Sequence, residues 1–309
     1  MSGFVPFLSV LSQKNFSSGY ILSYFCLAND DVINDFRLTV TQFHDSTVTR
    51  FNRKQYYMKY ISYQLNDGIG ILKFNRAEKY NAFHAELLGE LTELLQRENN
   101  NSALHVLIIT GDGKGFSAGV DLKSLLNLDT VEKAREFALL LESTSELIYN
   151  FSKPTIALIN GLALGGGFGY ATAADIRIMS ATAQVGYPAV KLGAILPATC
   201  TMYLKALIGD GRTKDLLLTG RMIQAEEALA MGLVNYIANP EELMDFAVEK
   251  AYQIMEAPDL ALLYTKNTVN FTTKREIEAA KLYAADNFAF LSQTKEWQKR
   301  MNAFANKKK

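Results

Sequence analysis

The spacing of apolar and polar positions divides the chain near residue 58. Beyond it, residues 61–65 and 69–74 are apolar-rich runs on either side of Asn66-Asp67-Gly68. An Asp-Gly pair between such runs predicts a tight β-hairpin. Across 81–98, Leu87, Leu88, Leu91, Leu94 and Leu95 recur at helical spacing. Residues 104–110 read as a buried, β-branched strand ending in Gly111-Asp112-Gly113-Lys114-Gly115. An amphipathic helix over 132–150 and a short strand over 154–159 follow. Then come a turn at Asn160-Gly161, a glycine run, a helix to Ala174 and a strand over 176–179. After Gly193 the pattern predicts an almost wholly helical chain, over 198–207, 212–219, 224–230, 241–256, 259–270, 274–291 and 293–305. Strand–strand–helix units followed by a helical tail give an α/β domain with a C-terminal helical region.

Residues 1–57 read differently. They are rich in Phe, Ser and Tyr and carry no 3.6 or 2.0 period, and the apolar piece 20–27 lacks the charged flank of a secretory signal. Met58 opens directly into the first hairpin. The expectation is therefore a domain over 58–309, with a strand-rich core over 58–195 and a helical region over 196–309. Residues 1–57 are expected to be a disordered or dispensable extension, or to lie upstream of a true start at Met58. No Pro-, Gly- or Ser-rich linker divides 58–309.

Composition narrows the function classes. The 309 residues are 49% apolar and 21% charged, which is ordinary for a globular protein and ample for a core. Lys+Arg and Asp+Glu both number 32, and the only basic run is Lys307-Lys308-Lys309, so nothing offers a phosphate backbone a cationic field. Two cysteines and three histidines without clustering argue against a zinc site or a disulfide scaffold and fit a reducing compartment. No apolar run reaches the roughly 18 residues of a membrane helix. The cytoplasm is the expected location, and a mitochondrial one only if residues 1–57 are a translated transit peptide.

Two segments look built to expose backbone N–H groups: Gly115-Phe116-Ser117-Ala118-Gly119-Val120-Asp121-Leu122, and Asn160-Gly161-Leu162-Ala163-Leu164-Gly165-Gly166-Gly167-Phe168-Gly169-Tyr170. Each follows a strand and precedes a helix, where glycine permits close approach and the helix terminus supplies free donors. Neither has the GxxxxGK[ST] or GxGxxG spacing of a nucleotide turn. Mere turn chemistry competes for either segment alone, but two such segments can converge on one oxygen as an oxyanion hole.

With these segments the sequence resembles the crotonase superfamily (the enoyl-CoA hydratase/isomerase family), from about Tyr60 to Lys308. The resemblance also rests on Asn75-Arg76-Ala77-Glu78-Lys79-Tyr80-Asn81-Ala82, Ala173-Ala174-Asp175-Ile176 and Gly186-Tyr187-Pro188-Ala189-Val190-Lys191-Leu192-Gly193. Leu218-Thr219-Gly220, Ala230-x-Gly232-Leu233-Val234-Asn235 and Asn302-Ala303-Phe304 follow in family order. It implies a crotonase-like spiral of ββα units with a C-terminal helical trimerisation region, a homotrimer or hexamer, and an acyl thioester substrate on coenzyme A or a carrier protein. No cofactor is implied beyond the coenzyme A of the substrate. The family's oxyanion donors map onto the N–H groups of Ala118 and Gly166. Its coenzyme-binding positions map onto Lys114, Phe116, Ala118, Asp121, Leu122 and Gly165, with Phe304 and Lys307 in the tail.

The family's two catalytic glutamate positions map onto Gly169 and Ala189, and a third acidic position used by some isomerases lies near Pro197. None is acidic here. Losing a general acid or base typically slows a reaction roughly 10²–10⁴-fold. Ala189 is either natural or an introduced Glu→Ala change. Tyr187 is a speculative substitute proton donor, while Tyr170, Lys191, His84, Asp121 and Asp175 read as structural or surface groups. Glu142 is the best of the distant carboxylates. Four readings stay open: a hydratase or isomerase with altered proton transfer, a malonyl-type thioester decarboxylase, a non-catalytic acyl-thioester binding paralogue, and a disabled variant.

Overall fold

The computed structural model describes residues 54–306. The hairpin forms as expected: β2 (Ile61–Asn66) and β3 (Ile69–Phe74) pair antiparallel with Asn66 opposite Ile69. Asp67 and Gly68 have φ of 49° and 81°, the two left-handed residues that a primed turn requires. A further strand, β1 (Lys54–Tyr57), pairs with β2 across Lys54–Leu65 to Tyr57–Ser62, so the sheet begins upstream of Met58. The rest of the 1–57 segment lies outside the described residues.

The larger sheet runs in the order β1-β2-β3-β4-β6-β8-β11, with β4 (Val106–Gly111), β6 (Thr155–Ile159), β8 (Ile176–Ser180) and β11 (Tyr236–Ala238). From β3 through β11 neighbouring strands are parallel. A smaller sheet has the order β10-β9-β7-β5, from β5 (Gly115–Ser117), β7 (Leu162–Leu164), β9 (Gln184–Gly186) and β10 (Met222–Gln224). Thus β4, β6 and β8 each lead into a strand of the small sheet, and each pair then feeds a helix. That repeat is the spiral of ββα units.

The helices are α1 (Ala85–Asn99), α2 (Leu122–Leu126), α3 (Val131–Tyr149), α4 (Gly166–Ala173), α5 (Ala198–Thr219), α6 (Ala225–Ala230), α7 (Leu243–Met255), α8 (Asp259–Ser292) and α9 (Lys295–Asn306). Both faces of the large sheet are covered, which explains why β4 is buried throughout rather than alternating. Val106 and Ile108 pack with Leu243, Ala247 and Ala251 of α7, whereas Leu107 and Ile109 join the main core with α1 and α3. Among the described residues no helix is long and apolar enough to cross a membrane.

Several boundaries differ from the sequence pattern. Beyond Gly193 the chain is not wholly helical, because β10 and β11 intervene; three-residue strands are too short to show a period. The two helices expected over 259–270 and 274–291 are one helix, α8, since no Gly or Pro interrupts residues 259–292. Those expected over 198–207 and 212–219 are joined in α5, with Gly209 at φ 75° and ψ 168° marking the kink.

The first helix begins at Ala85 rather than Asn81. Tyr80 and Asn81 are left-handed, with φ of 49° and 56°, and His84 caps α1 by accepting the Leu87 N–H. Asn81 is fully buried and all its polar side-chain atoms are engaged. Its Nδ2 donates to the carbonyls of Asp112 (2.9 Å) and Gly115 (2.8 Å), and its Oδ1 accepts the Arg76 N–H at 2.9 Å. It therefore clamps the β4–β5 turn to the approach to α1. Replacing Asn81 with Ala leaves those partners unpaired, the buried Gly115 carbonyl among them. We expect a loss of about 2–3 kcal/mol, seen as a lower denaturant midpoint at unchanged slope; an unchanged midpoint would rule the clamp out.

Candidate functional site

Parallel pairing of β5 with β7 sets Gly115 opposite Leu162 and Ser117 opposite Ala163. It brings the two glycine-rich segments together at the carboxyl ends of their strands. In the first turn almost every donor is occupied. The Ala118 N–H donates to the Tyr80 carbonyl (2.8 Å), the Gly119 N–H to Ser117 Oγ (3.1 Å) and the Asp121 N–H to the Phe83 carbonyl (2.7 Å). The Phe83 N–H in turn bonds the Gly119 carbonyl at 2.7 Å. Among the described residues the Val120 N–H has no acceptor. Ala118, the residue onto which the resemblance maps a donor, thus has its N–H committed to the fold, and the free N–H lies two residues further on.

In the second turn Gly165 has φ 51° and is the N-cap of α4, with its N–H bonded to the Gly186 carbonyl at 2.9 Å. Gly166 opens the helix, so its N–H has no intrahelical acceptor, and it donates to no other described group. The two turns touch: a Cβ on Gly119 would lie 3.2 Å from the Gly166 nitrogen, and one on Gly166 would lie 3.9 Å from Val120 Cγ2. Two unengaged N–H groups, one at a helix N-terminus, therefore share one small space.

That space is a cavity of about 100 Å³, walled by both glycine turns, Leu141 and Glu142 of α3, Ala189, residues 194–197, and Ala284 and Phe288 of α8. A second cavity, of about 350 Å³, adjoins it across Ala189, Ala194 and Ala284. Glu142 supplies the sole polar side chain among the described residues lining the first cavity. It is 1% exposed, and its carboxylate accepts the N–H groups of Ala198 (2.6 Å) and Thr199 (3.0 Å). It thereby caps α5 from another helix, since Pro197 at the N-cap makes no side-chain cap bond. Burial raises the Glu142 carboxyl above the usual carboxylate range against the lowering effect of those N–H donors. Glu142 falls on the inward face of α3 with Ala138 and Ser145, and its place on the helix before the second glycine segment was its signal in the sequence.

The two positions onto which the resemblance maps acids, Gly169 and Ala189, are placed differently. Gly169 is packed so closely that a Cβ there would overlap Cys200 Sγ and lie 2.8 Å from Cys200 Cβ. Ala189 sits in a 3₁₀ turn (Pro188–Leu192) and lines both cavities. Tyr187 is buried with its ring 5.2 Å from that of Phe168; it borders the second cavity and not the first, and burial pushes its hydroxyl well above the ordinary range. Tyr170 donates its hydroxyl to the Leu141 carbonyl. Lys191 is exposed, and Asp175 is paired with Lys266 at 2.7 Å.

The other expected residues spread around the first turn. Phe116 is a core residue packed on Phe74 with ring centroids 5.6 Å apart, so its side chain is not offered to a ligand. Lys114 is exposed at the rim, Leu122 is half-buried on α2, and Gly165 lines the cavity. Asp121 caps α2 and pairs with Arg76 Nη1 at 2.6 Å. Burial alone would raise its carboxyl, but Arg76 and the Lys123 N–H outweigh burial and hold it below the ordinary value. Phe304 lies on α9, away from the cavity, and Lys307 lies outside the described residues. No group of three potential metal ligands occurs among the described residues.

The packing at Gly169 is directly testable. Gly169→Ala inserts a methyl group into Cys200 and is expected to cost about 1–3 kcal/mol as an overpacked core. Adding Cys200→Ala is expected to recover most of it, as read from thermal midpoints; a stable single variant would show that the site is looser than described.

The comparisons with known proteins agree with this fold. The family described as enoyl-CoA hydratase/isomerase matches residues 64–309. A crotonyl-CoA hydratase from Syntrophomonas wolfei is 37% identical over 242 residues, covering 78% of this chain and 93% of that protein. A 4-chlorobenzoyl coenzyme A dehalogenase from an Arthrobacter species is 30% identical over 231 residues, covering 74% of this chain and 84% of the relative. Among solved structures, an enoyl-CoA hydratase from Bacillus halodurans superposes with a TM-score of 0.73 at 27% identity, covering 79% of this chain and 99% of its own. The chain is a member of the enoyl-CoA hydratase/isomerase family.

Proposed function

We propose that the protein is an acyl-CoA enzyme that binds a thioester carbonyl between the N–H groups of Val120 and Gly166 and stabilises the enolate formed at Cα. The observation carrying this reading is the pair of unengaged donors at one wall of a cavity whose described side chains are apolar except for Glu142. As the carbonyl becomes an enolate, charge gathers on its oxygen. Each preorganised donor in a water-poor site lowers such a barrier by roughly 3–4 kcal/mol. The acyl chain occupies the apolar cavities, and the coenzyme lies outward along the first turn near Lys114 and Leu122. The reading requires no cofactor beyond the coenzyme A carried by the substrate. The exposed Tyr264, Val269, Phe271, Tyr283 and Phe290 of α8 offer an apolar surface for contact between copies of the chain in a trimer.

Hydration through two glutamates is not what this chain is built for, because Gly169 has no room for a side chain and Ala189 is apolar. A malonyl-type substrate fits poorly too. Among the described residues no cation lines the cavity, and the one ionisable group there, Glu142, would repel a second carboxylate.

The test titrates the full chain with crotonyl-CoA, following binding and then loss of the conjugated thioester absorbance. We expect binding, with hydration slow in the native chain and faster by about tenfold or more in Ala189→Glu, which places an acid in the cavity. Failure to bind crotonyl-CoA and longer 2-enoyl-CoA esters would overturn the reading.

A further inference from the structure

The same cavity raises a question that the oxyanion donors do not answer: which group moves the proton. Every described side chain lining it is Ala, Val, Leu, Ile, Pro or Phe, apart from Glu142. A carboxylate enclosed among such neighbours is expensive to bury, and its capping role accounts for only part of its capacity. Two carboxylate oxygens offer about four acceptor positions, and the Ala198 and Thr199 N–H groups take one on each oxygen. Those two bonds, with a further one from the Thr199 side chain, fix the carboxylate at the cavity wall and leave part of its acceptor capacity for a substrate. Its raised protonation range, caused by burial, brings it nearer the condition in which it can both take and return a proton.

We propose that Glu142 is the catalytic acid–base of this site and that the reaction it supports is a 1,3-proton shift in an enoyl thioester. This rests on the acyl-thioester reading above. A Glu142 oxygen removes a proton from Cα of a 3-enoyl thioester. The C–H electron pair forms a double bond between Cα and the carbonyl carbon, and the carbonyl pair moves onto the oxygen held by Val120 and Gly166. The resulting dienolate then takes the same proton back from the Glu142 carboxyl at C4. The oxygen pair re-forms the carbonyl, and the double bond comes to rest between C2 and C3. Nothing is oxidised or reduced, no water enters, and Glu142 ends as it began. Hydration would need a further group to activate water, and the first cavity presents no second polar side chain. A single carboxylate suffices to carry a proton out and back.

The test uses the full chain with 3-hexenoyl-CoA, following the gain of conjugated thioester absorbance, together with acyl-CoA binding and thermal midpoints. The native chain is expected to convert 3-hexenoyl-CoA to 2-hexenoyl-CoA. Glu142→Gln keeps one acceptor for the cap; its kcat is expected to fall roughly 10²–10⁴-fold with acyl-CoA binding and KM little changed. Combining Glu142→Gln with Ala189→Glu returns a carboxylate to the same cavity and is expected to recover part of the activity, which restoring a helix cap would not do. A native chain that binds acyl-CoA without isomerising it would overturn the inference. So would a Glu142→Gln variant that loses less than about tenfold in kcat, or one whose binding and midpoint fall together with no recovery from Ala189→Glu. Absence of acyl-CoA binding by the native chain would instead overturn the underlying functional reading.

Discussion

Parallel pairing between β5 and β7 is the contact on which the site depends. Each strand is only three residues long, yet together they hold two glycine turns edge to edge and point both helix entries at one cavity. Tyr80, Ser117 and Phe83 then accept the backbone donors of the first turn one after another, until the Val120 N–H remains. The second turn leaves Gly166 free because helix starts have donors without acceptors. The pair of donors is thus a by-product of how the surrounding chain satisfies itself, and it persists whatever side chains line the rest of the cavity.

This separation between a fixed backbone and replaceable side chains is how the chain keeps the architecture of its relatives with Gly at position 169 and Ala at position 189. Cys200 fills the space at Gly169, and Ala189 lines both the first cavity and the larger one beside it. The carboxylate that remains enters from α3 and is steadied by the N-terminus of α5. A crotonyl-CoA hydratase and a 4-chlorobenzoyl coenzyme A dehalogenase both share about a third of their aligned residues with this chain, so the same frame carries more than one chemistry.

Much of the fold was legible in the sequence because long apolar patterns dominate it. The β2–β3 hairpin, β4, α3, β6 and β8 each extend over enough residues to show a period or a continuous buried run. The short strands β5, β7, β9, β10 and β11 were not legible, since their pairing is made by neighbours distant in sequence rather than by local preference. The same holds for the site. The glycine run around Gly166 followed from its place at a strand-to-helix turn, and Gly166 itself from the family resemblance. Val120 could not be told from Ala118, because the difference lies in which N–H finds the Tyr80 carbonyl across a long separation. Glu142 stood out only as an acid in an amphipathic helix; that its face closes a cavity depends on how α3 packs against α5 and the glycine turns.

Polarisation of a thioester carbonyl by two backbone donors is the central claim, and the carbonyl stretch of a bound acyl-CoA reads it directly. Isotope-edited infrared difference spectra of ¹³C-thioester hexanoyl-CoA, free and bound to the full chain, isolate that one bond. Hydrogen bonds from Val120 and Gly166 weaken the carbonyl bond and move the band to lower frequency than in water. A bound carbonyl absorbing at or above its frequency in water would contradict the account, because it would place the oxygen away from both donors.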